Sequence, residues 1–290
     1  MRLTQKAKAC ILALSPTVPG AVTVSGSTQL NLNGCDVASN SSTSDSLLMD
    51  GTAKLTTGCA FTVGEAVTTT GLTLTQCPEV KESSPPIIDP YASVAEPAVT
   101  GSCRNRNVGT PGGSTTLAPS ENHPSGVKSM RFCNGLDVKG NVTFGPGLYI
   151  IEGGSLTING GDLASSAVAE LAGSGVTFYF TNGGVPRIGG NAKLQLSAPT
   201  SGPFAGILFF GSRDAAGVTH QIRGTSDSTL QGALYAPASK VDFSGNSKTT
   251  GGCTQIIGRL VTVSGDSRLG SSCETAGTQD IAIWSAKIVE

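Results

Sequence analysis

The chain has 290 residues, 39 of them glycine, with 38% apolar and 13% charged residues and a net charge of −1. A near-neutral chain without a basic stripe excludes electrostatic capture of nucleic acid. Apolar residues recurring in strand-like clusters exclude a disordered chain, and no stretch reaches the ~20 apolar residues of a membrane span.

Met1–Lys8 is basic, and the apolar run that follows, residues 9–14, is only six residues. A secretory core is longer, roughly 7–15 residues. The start is therefore read as an internal one, with a membrane anchor or another domain expected before it, and Cys10–Leu14 is expected to be the first rung. A phrase then repeats: an apolar residue, a spacer, Gly, three variable residues and a closing apolar residue. It reads Val24–Leu30, Met49–Leu55, Val138–Phe144, Ile188–Leu194 and Val263–Leu269, with looser copies from Ile158, Ile222 and Phe243. Several gaps between its glycines are 20, 21 or 25 residues, close to one coil of a β solenoid.

A second, more continuously apolar strand follows each phrase: Gly147–Ile151, Val176–Phe180, Gly206–Phe210, Gly232–Ala236 and Gln255–Leu260. Alternation in the first strand means one buried face, and continuity in the second means two covered faces. Residues 78–132 interrupt the pattern with a Pro-rich stretch that no central strand tolerates. They are expected to form a loop excursion packed on the side of the stack. Residues 281–290 are expected to form the last strand or a closing cap, with Trp284 as its largest apolar group. The expected fold is all-β: one domain, 1–290, folded as a single-stranded right-handed parallel β-helix. The handedness follows from the general rule for parallel crossovers.

Eight cysteines stand at 10, 35, 59, 77, 103, 133, 253 and 273, with no CxxC pair, and the only histidines are His123 and His220. Zinc sites need close-spaced ligands, whereas an even count of widely spaced cysteines suits disulfides and an oxidising compartment. Coils of a solenoid touch their neighbours, so the expected staples are Cys10–Cys35, Cys59–Cys77, Cys103–Cys133 and Cys253–Cys273.

The order of several phrases resembles the C-terminal region of TadG-type proteins of the bacterial Flp/Tad (tight adherence) pilus system. They are residues 10–16, Leu30–Cys35, Phe144–Ile151, Gly175–Phe180, Leu196–Phe210, Leu230–Pro237, Cys253–Ile257 and the Val-Glu ending. The resemblance covers nearly the whole chain. It implies a non-catalytic cell-envelope role in pilus assembly, anchoring or surface adhesion, at the periplasm or cell surface. The implied partners are other pilus or envelope proteins, or surface glycans, with no nucleic acid. Membrane attachment is expected only through an N-terminal segment that the family carries ahead of this part. No cofactor and no catalytic residue is carried over; the cysteines transfer as structural disulfides.

The alternative is a carbohydrate-binding or carbohydrate-active β-helix protein resembling polysaccharide lyases or hydrolases, since the fold alone does not decide function. Sugar hydrolysis needs paired carboxylates, which on a solenoid come from equivalent positions of adjacent coils. Asp137, Asp162, Asp227, Asp242 and Asp266 are the candidates, against a plainer role in turns. Arg213, Asp214, His220 and Arg223 lie in what reads as a charged loop between coils, a ligand-loop candidate set against an ordinary surface salt-bridge cluster. There is no GxSxG elbow and no phosphate loop, and the Gly-Gly pairs lack the repeated Asp of calcium-binding coils. Outward rows of Ser, Thr, Asn and Gln are a possible glycan face.

Overall fold

The computed structural model describes residues 2–158, 161–165, 175–189, 192–224, 228–245, 252–270, 273 and 275–287. The described residues are all β, without a helix, and nearly all strand pairing is parallel.

Three parallel ladders organise the chain. The first runs through Lys128–Cys133, Gly147–Glu152, Val176–Thr181, Ile207–Gly211, residues 233–236 and residues 254–258. It then continues into residues 11–13, Asp36–Ser39 and Ala60–Thr62. The second runs from Asn107–Val108 through Leu136–Val138, Ser155–Ile158, Val185–Ile188, Thr219–Gly224, residues 240–244 and residues 261–263. Val22–Val24, Leu47–Met49 and Ala66–Val67 complete it. The third has two stretches, from Ser114–Leu117 to residues 229–231, and from Asp266–Gly270 through Gln29–Asn33 and Lys54–Thr57 to Leu72–Leu74.

The expectation that Cys10–Leu14 forms a terminal rung is corrected here. Ile11 pairs with Ile256 on one side and Val37 on the other. The N-terminal coils stack onto the C-terminal coil, and the chain's two ends meet within the body of the stack. Arg2–Ala9 pairs antiparallel with Ile281–Lys287, so the last strand forms a ribbon with the first and does not close an end of the ladders. The Trp284 side chain lies outside the described residues.

This order requires one long connection from the coil at 60–75 to the coil at 107–117, and residues 78–102 supply it. Lys81 bridges Phe61, Asn40 makes two 2.8 Å hydrogen bonds with the Ile87 backbone, and Arg131 donates to Gly101 O at 3.0 Å. The excursion is thus a strap along the first ladder, and it is shorter than expected. Residues 103–133 are not part of it, because they form the end coil and the strand Lys128–Cys133.

The strap explains the two strand types. Inward residues such as Val142, Phe144, Val176 and Phe178 form the inner core, within which Phe144, Tyr149, Phe178 and Phe209 pack with ring centroids 4.9–5.5 Å apart. The outer face of the first ladder carries Leu148, Ile150, Tyr179, Ile207, Phe210, Tyr235 and Ile257, which pack with Ile87 and Tyr91 of the strap. Both faces are dry, so Val176–Thr181 and Ile207–Gly211 are buried throughout.

The repeat glycines turn corners. Gly26 and Gly51 have φ of +78° and +71°, and a Cβ on Gly51 would stand 3.1 Å from Gly26 O on the next coil. Left-handed backbone and close stacking both require Gly there. The disulfides are Cys10–Cys35, Cys59–Cys77, Cys103–Cys133 and Cys253–Cys273, the four pairs expected from neighbouring coils. They indicate an oxidising, exported location. Among the described residues, no helix is long and apolar enough to cross a membrane.

Candidate functional site

The densest polar constellation among the described residues lies along the seam between strap and first ladder, and Arg213 is its centre. Residue 213 follows the strand Ile207–Gly211, which holds it against the strap. Its Nη2 donates to Tyr91 O at 3.0 Å, Val94 O at 2.9 Å and Tyr235 Oη at 3.3 Å. Its Nη1 is 3.9 Å from Glu96 Oε2, and its backbone N–H donates to the same oxygen at 3.2 Å. The guanidinium lies 5.1 Å from the Phe210 ring centre and 5.7 Å from that of Tyr235, within cation–π range.

The strap returns these contacts. Tyr179 Oη donates to Glu96 Oε1 at 2.5 Å, Tyr235 Oη donates to Asp89 Oδ2 at 2.8 Å, and Tyr91 Oη donates to Gln255 Oε1 at 3.3 Å. Burial drives the Glu96 carboxyl upward, but donors on Ser212, Tyr179 and the Arg213 backbone, with the guanidinium charge, outweigh it and leave the group below its ordinary value. Burial and then the Glu96 hydrogen bond push the Tyr179 phenol up to about 12. Every charged member of the seam is engaged by the other side, so the cluster acts as a clasp and presents no free nucleophile, acid or base.

The four ligand-loop residues do not converge. Arg213 belongs to the clasp, Asp214 and Arg223 are exposed, and His220 is in the core. The reading of His220 as part of a charged loop is corrected. It lies on the strand Thr219–Gly224, in register with buried Val241, and is 2% exposed. Its ring packs edge-on to Phe180 at 5.6 Å, and Nε2 has no hydrogen-bond partner. Burial lowers its pKa to about 4, so the imidazole is neutral at physiological pH. His123 is also structural: Nε2 donates to Ala98 O of the strap at 2.8 Å while Nδ1 accepts from Ser125 Oγ at 2.7 Å.

Among the described residues, the candidate carboxylates Asp137, Asp242 and Asp266 do not pair with one another between coils. Asp137 binds Arg106, and its ladder neighbours are Asn107 and Thr157. Asp242 lies between Gln221 and Thr262, and Asp266 lies beside Gln29. Asp227 and the Asp162 side chain lie outside the described residues. Two hollows lined by described residues flank the stack. One of about 170 Å³ is walled by Pro146, Leu148, Pro199, Pro203 and Phe204, with Lys128 as its single charge. The other, of about 270 Å³, lies between strap residues Pro85–Pro90 and the segment 280–283, with Asp280 as its single charge. Among the described residues, no three His, Cys, Asp or Glu side chains are grouped to hold a metal.

Sequence reading missed the clasp because its members lie far apart in the chain. The available signal was an aromatic, Tyr91, with two acids, Asp89 and Glu96, inside an otherwise Pro-rich stretch. Compared with protein-family models, curated proteins and solved structures, the chain matches none.

Proposed function

We propose that the chain is a non-catalytic structural protein of the bacterial cell envelope, a right-handed parallel β-helix that serves Flp/Tad pilus assembly, anchoring or adhesion in the manner of TadG-type proteins. The observation that carries this reading is the combination of four disulfides between neighbouring coils with a strap whose Asp89 and Glu96 are spent on holding it to the stack. A scaffold built this way is suited to persist outside the cytoplasm, and its chemistry is committed to stability. The working location is the periplasm or the cell surface, and the working partners are other pilus or envelope proteins.

A second reading, glycan binding, has one observation in its favour. The second ladder aligns Thr157, Arg187, Gln221, Asp242, Thr262 and Thr23 in a single row across successive coils, a repeating polar track. The test is deletion of the gene in the bacterium that makes it, with pilus number and surface adherence as readouts, beside protease shaving of intact cells. Loss of piliation or adherence with an externally or periplasmically located protein supports the first reading. A cytoplasmic, reduced protein, or unchanged piliation and adherence, overturns it. Retention on a polysaccharide column without a piliation defect moves the assignment to the second.

A further inference from the structure

We propose that this chain associates head to tail, the acidic end of one stack docking on the basic end of a second copy. The inference rests on the ladders and their charges, independently of the envelope reading. At one end Ala66–Val67 and Leu72–Leu74 terminate the second and third ladders, each pairing on one side only among the described residues. Val67 is 46% exposed there, and Leu72 and Leu74 are only half-buried. At the other end Asn107–Val108 and Ser114–Leu117 terminate the same two faces, with Leu117 half-buried. Unpaired parallel edges are templates for further strands. Because these ladders are parallel throughout, one end supplies the strand direction that the other end continues.

The charges select the head-to-tail arrangement over a symmetric one. Extending the second ladder by one coil sets Asn107 of the second copy over Val67, so that residues 104–106, which lead into that strand, come beside Glu65, which leads into Ala66–Val67. Arg104 and Arg106 then flank Glu65, and Glu82 stands beside them through its 2.9 Å bond from Ala66 N. Arg104 and Arg106 are 44% and 51% exposed, and each is held by one acid, Glu121 and Asp137 respectively. A guanidinium carries five N–H donors, so each retains donors for a second carboxylate. Glu65 is exposed and has no ion pair among the described residues. Like ends would set Glu65 and Glu82 against their own copies, or arginine against arginine.

The first ladder limits the contact. Lys81 caps it at the acidic end, and Glu121–Asn122, running antiparallel to Lys128–Ser129, caps it at the basic end. Two ladders of three are left to join, so the association is weak and sensitive to salt. A heterologous contact of this kind does not close on itself and yields linear arrays.

The test is sedimentation velocity of the full, disulfide-intact chain over a range of concentrations. Oligomers should grow with concentration at low salt and dissociate near 1 M salt, where the screening length falls to about 3 Å. E65R/E82R and R104E/R106E should each weaken association at least about tenfold, the scale of two exposed ion pairs reversed. An equimolar mixture of the two should recover it, because each variant then meets an end of opposite sign. Non-reducing mass spectrometry confirms that both keep four disulfides, and E65Q/E82Q gives a milder variant with an intermediate effect. A monomer at every concentration in low salt, association indifferent to both reversals, or a mixture of correctly bridged variants that fails to recover would each overturn the proposal.

Discussion

Replacing Arg213 with Met tests whether the strap is held by the clasp or merely lies on an apolar surface. Methionine keeps most of the stem's contact with Phe210 and Tyr235 but removes the guanidinium, leaving Tyr91 O and Val94 O without their donor and Glu96 without its cation. Charge-assisted hydrogen bonds contribute about 1.5–3 kcal/mol each. With the half-buried setting and partial replacement by water, the loss is about 3 kcal/mol. That cost falls on the strap, because the ladder beneath keeps its own backbone bonds. Hydrogen exchange is the suitable assay, since local opening is read residue by residue. The amides of Tyr91, Ala92 and Val94, which bond within the turn at 89–94, are the reporters. Their exchange should accelerate by about two decades, at about 1.4 kcal/mol per decade, while the amides of Val176–Thr181 stay protected. R213K should fall between, because an ammonium supplies the charge without the planar fork. Unchanged exchange at the three reporters, or equal acceleration everywhere, would refute the clasp.

Three further outcomes are expected. His220 has a folded pKa of about 4 against 6.5, so the unfolded chain binds more protons between those values; stability should fall as pH drops through that window, by up to about 3 kcal/mol below pH 4, and His220→Leu should abolish this dependence in denaturant titrations. Burial raises Asp36 from 3.8 to about 6, against the hydrogen bonds it accepts from Cys59 N and Lys8 N, so its ionisation weakens the native state as pH rises through that range; Asp36→Asn, which keeps an acceptor for Cys59 N, should stabilise by about 1 kcal/mol at pH 8 and not at pH 4, read from thermal midpoints. Cys103→Ser with Cys133→Ser opens the bridge where the strap enters the end coil, and the loop of separation 30 implies a loss of about 3–4 kcal/mol, checked by urea unfolding and by proteolysis at Arg104 and Arg106.

The repeating phrase made the ladders legible because inward positions keep a strict period of two, as in Val142 and Phe144, and because its glycines sit at corners only they tolerate. The same period contained the correct environment of His220. His220 and Ile222 share one side of their strand, while Gln221 and Arg223 take the other. The charged neighbours of His220 drew the reading to the surface, although burial follows alternation and not local charge. The disulfide pairs were legible because each links residues 18–30 apart on adjacent coils. The placement of the first coil was not legible. Its strand is buried on both faces whether it ends the stack or lies within it, and no local pattern distinguishes pairing with residues 256–258 from a free edge. The clasp was hidden for a related reason: Arg213 meets partners more than a hundred positions away, and nothing near it in the chain encodes them.

The permuted order of coils bears on how the fold is reached. The rung at 9–13 gains its second neighbour only when residues 254–258 are in place, and the ribbon of Arg2–Ala9 with Ile281–Lys287 joins the two ends of the chain. Contacts of such separation pay loop-closure entropy before they return any burial, and folding slows accordingly. The disulfides avoid that penalty, since none spans the long closure. Cys10–Cys35 and Cys59–Cys77 lock the N-terminal coils as a unit, and Cys103–Cys133 and Cys253–Cys273 staple the C-terminal body at its two extremes. Two stapled pieces joined by the strap reduce the search to one docking event. The strap's contacts with both pieces, Asn40 with Ile87 on one and Arg213 with Tyr91 on the other, fix the register in which they dock. The Pro-rich composition suits this part of the chain, because a stiff extended connector limits the positions from which the N-terminal unit approaches the edge at 254–263.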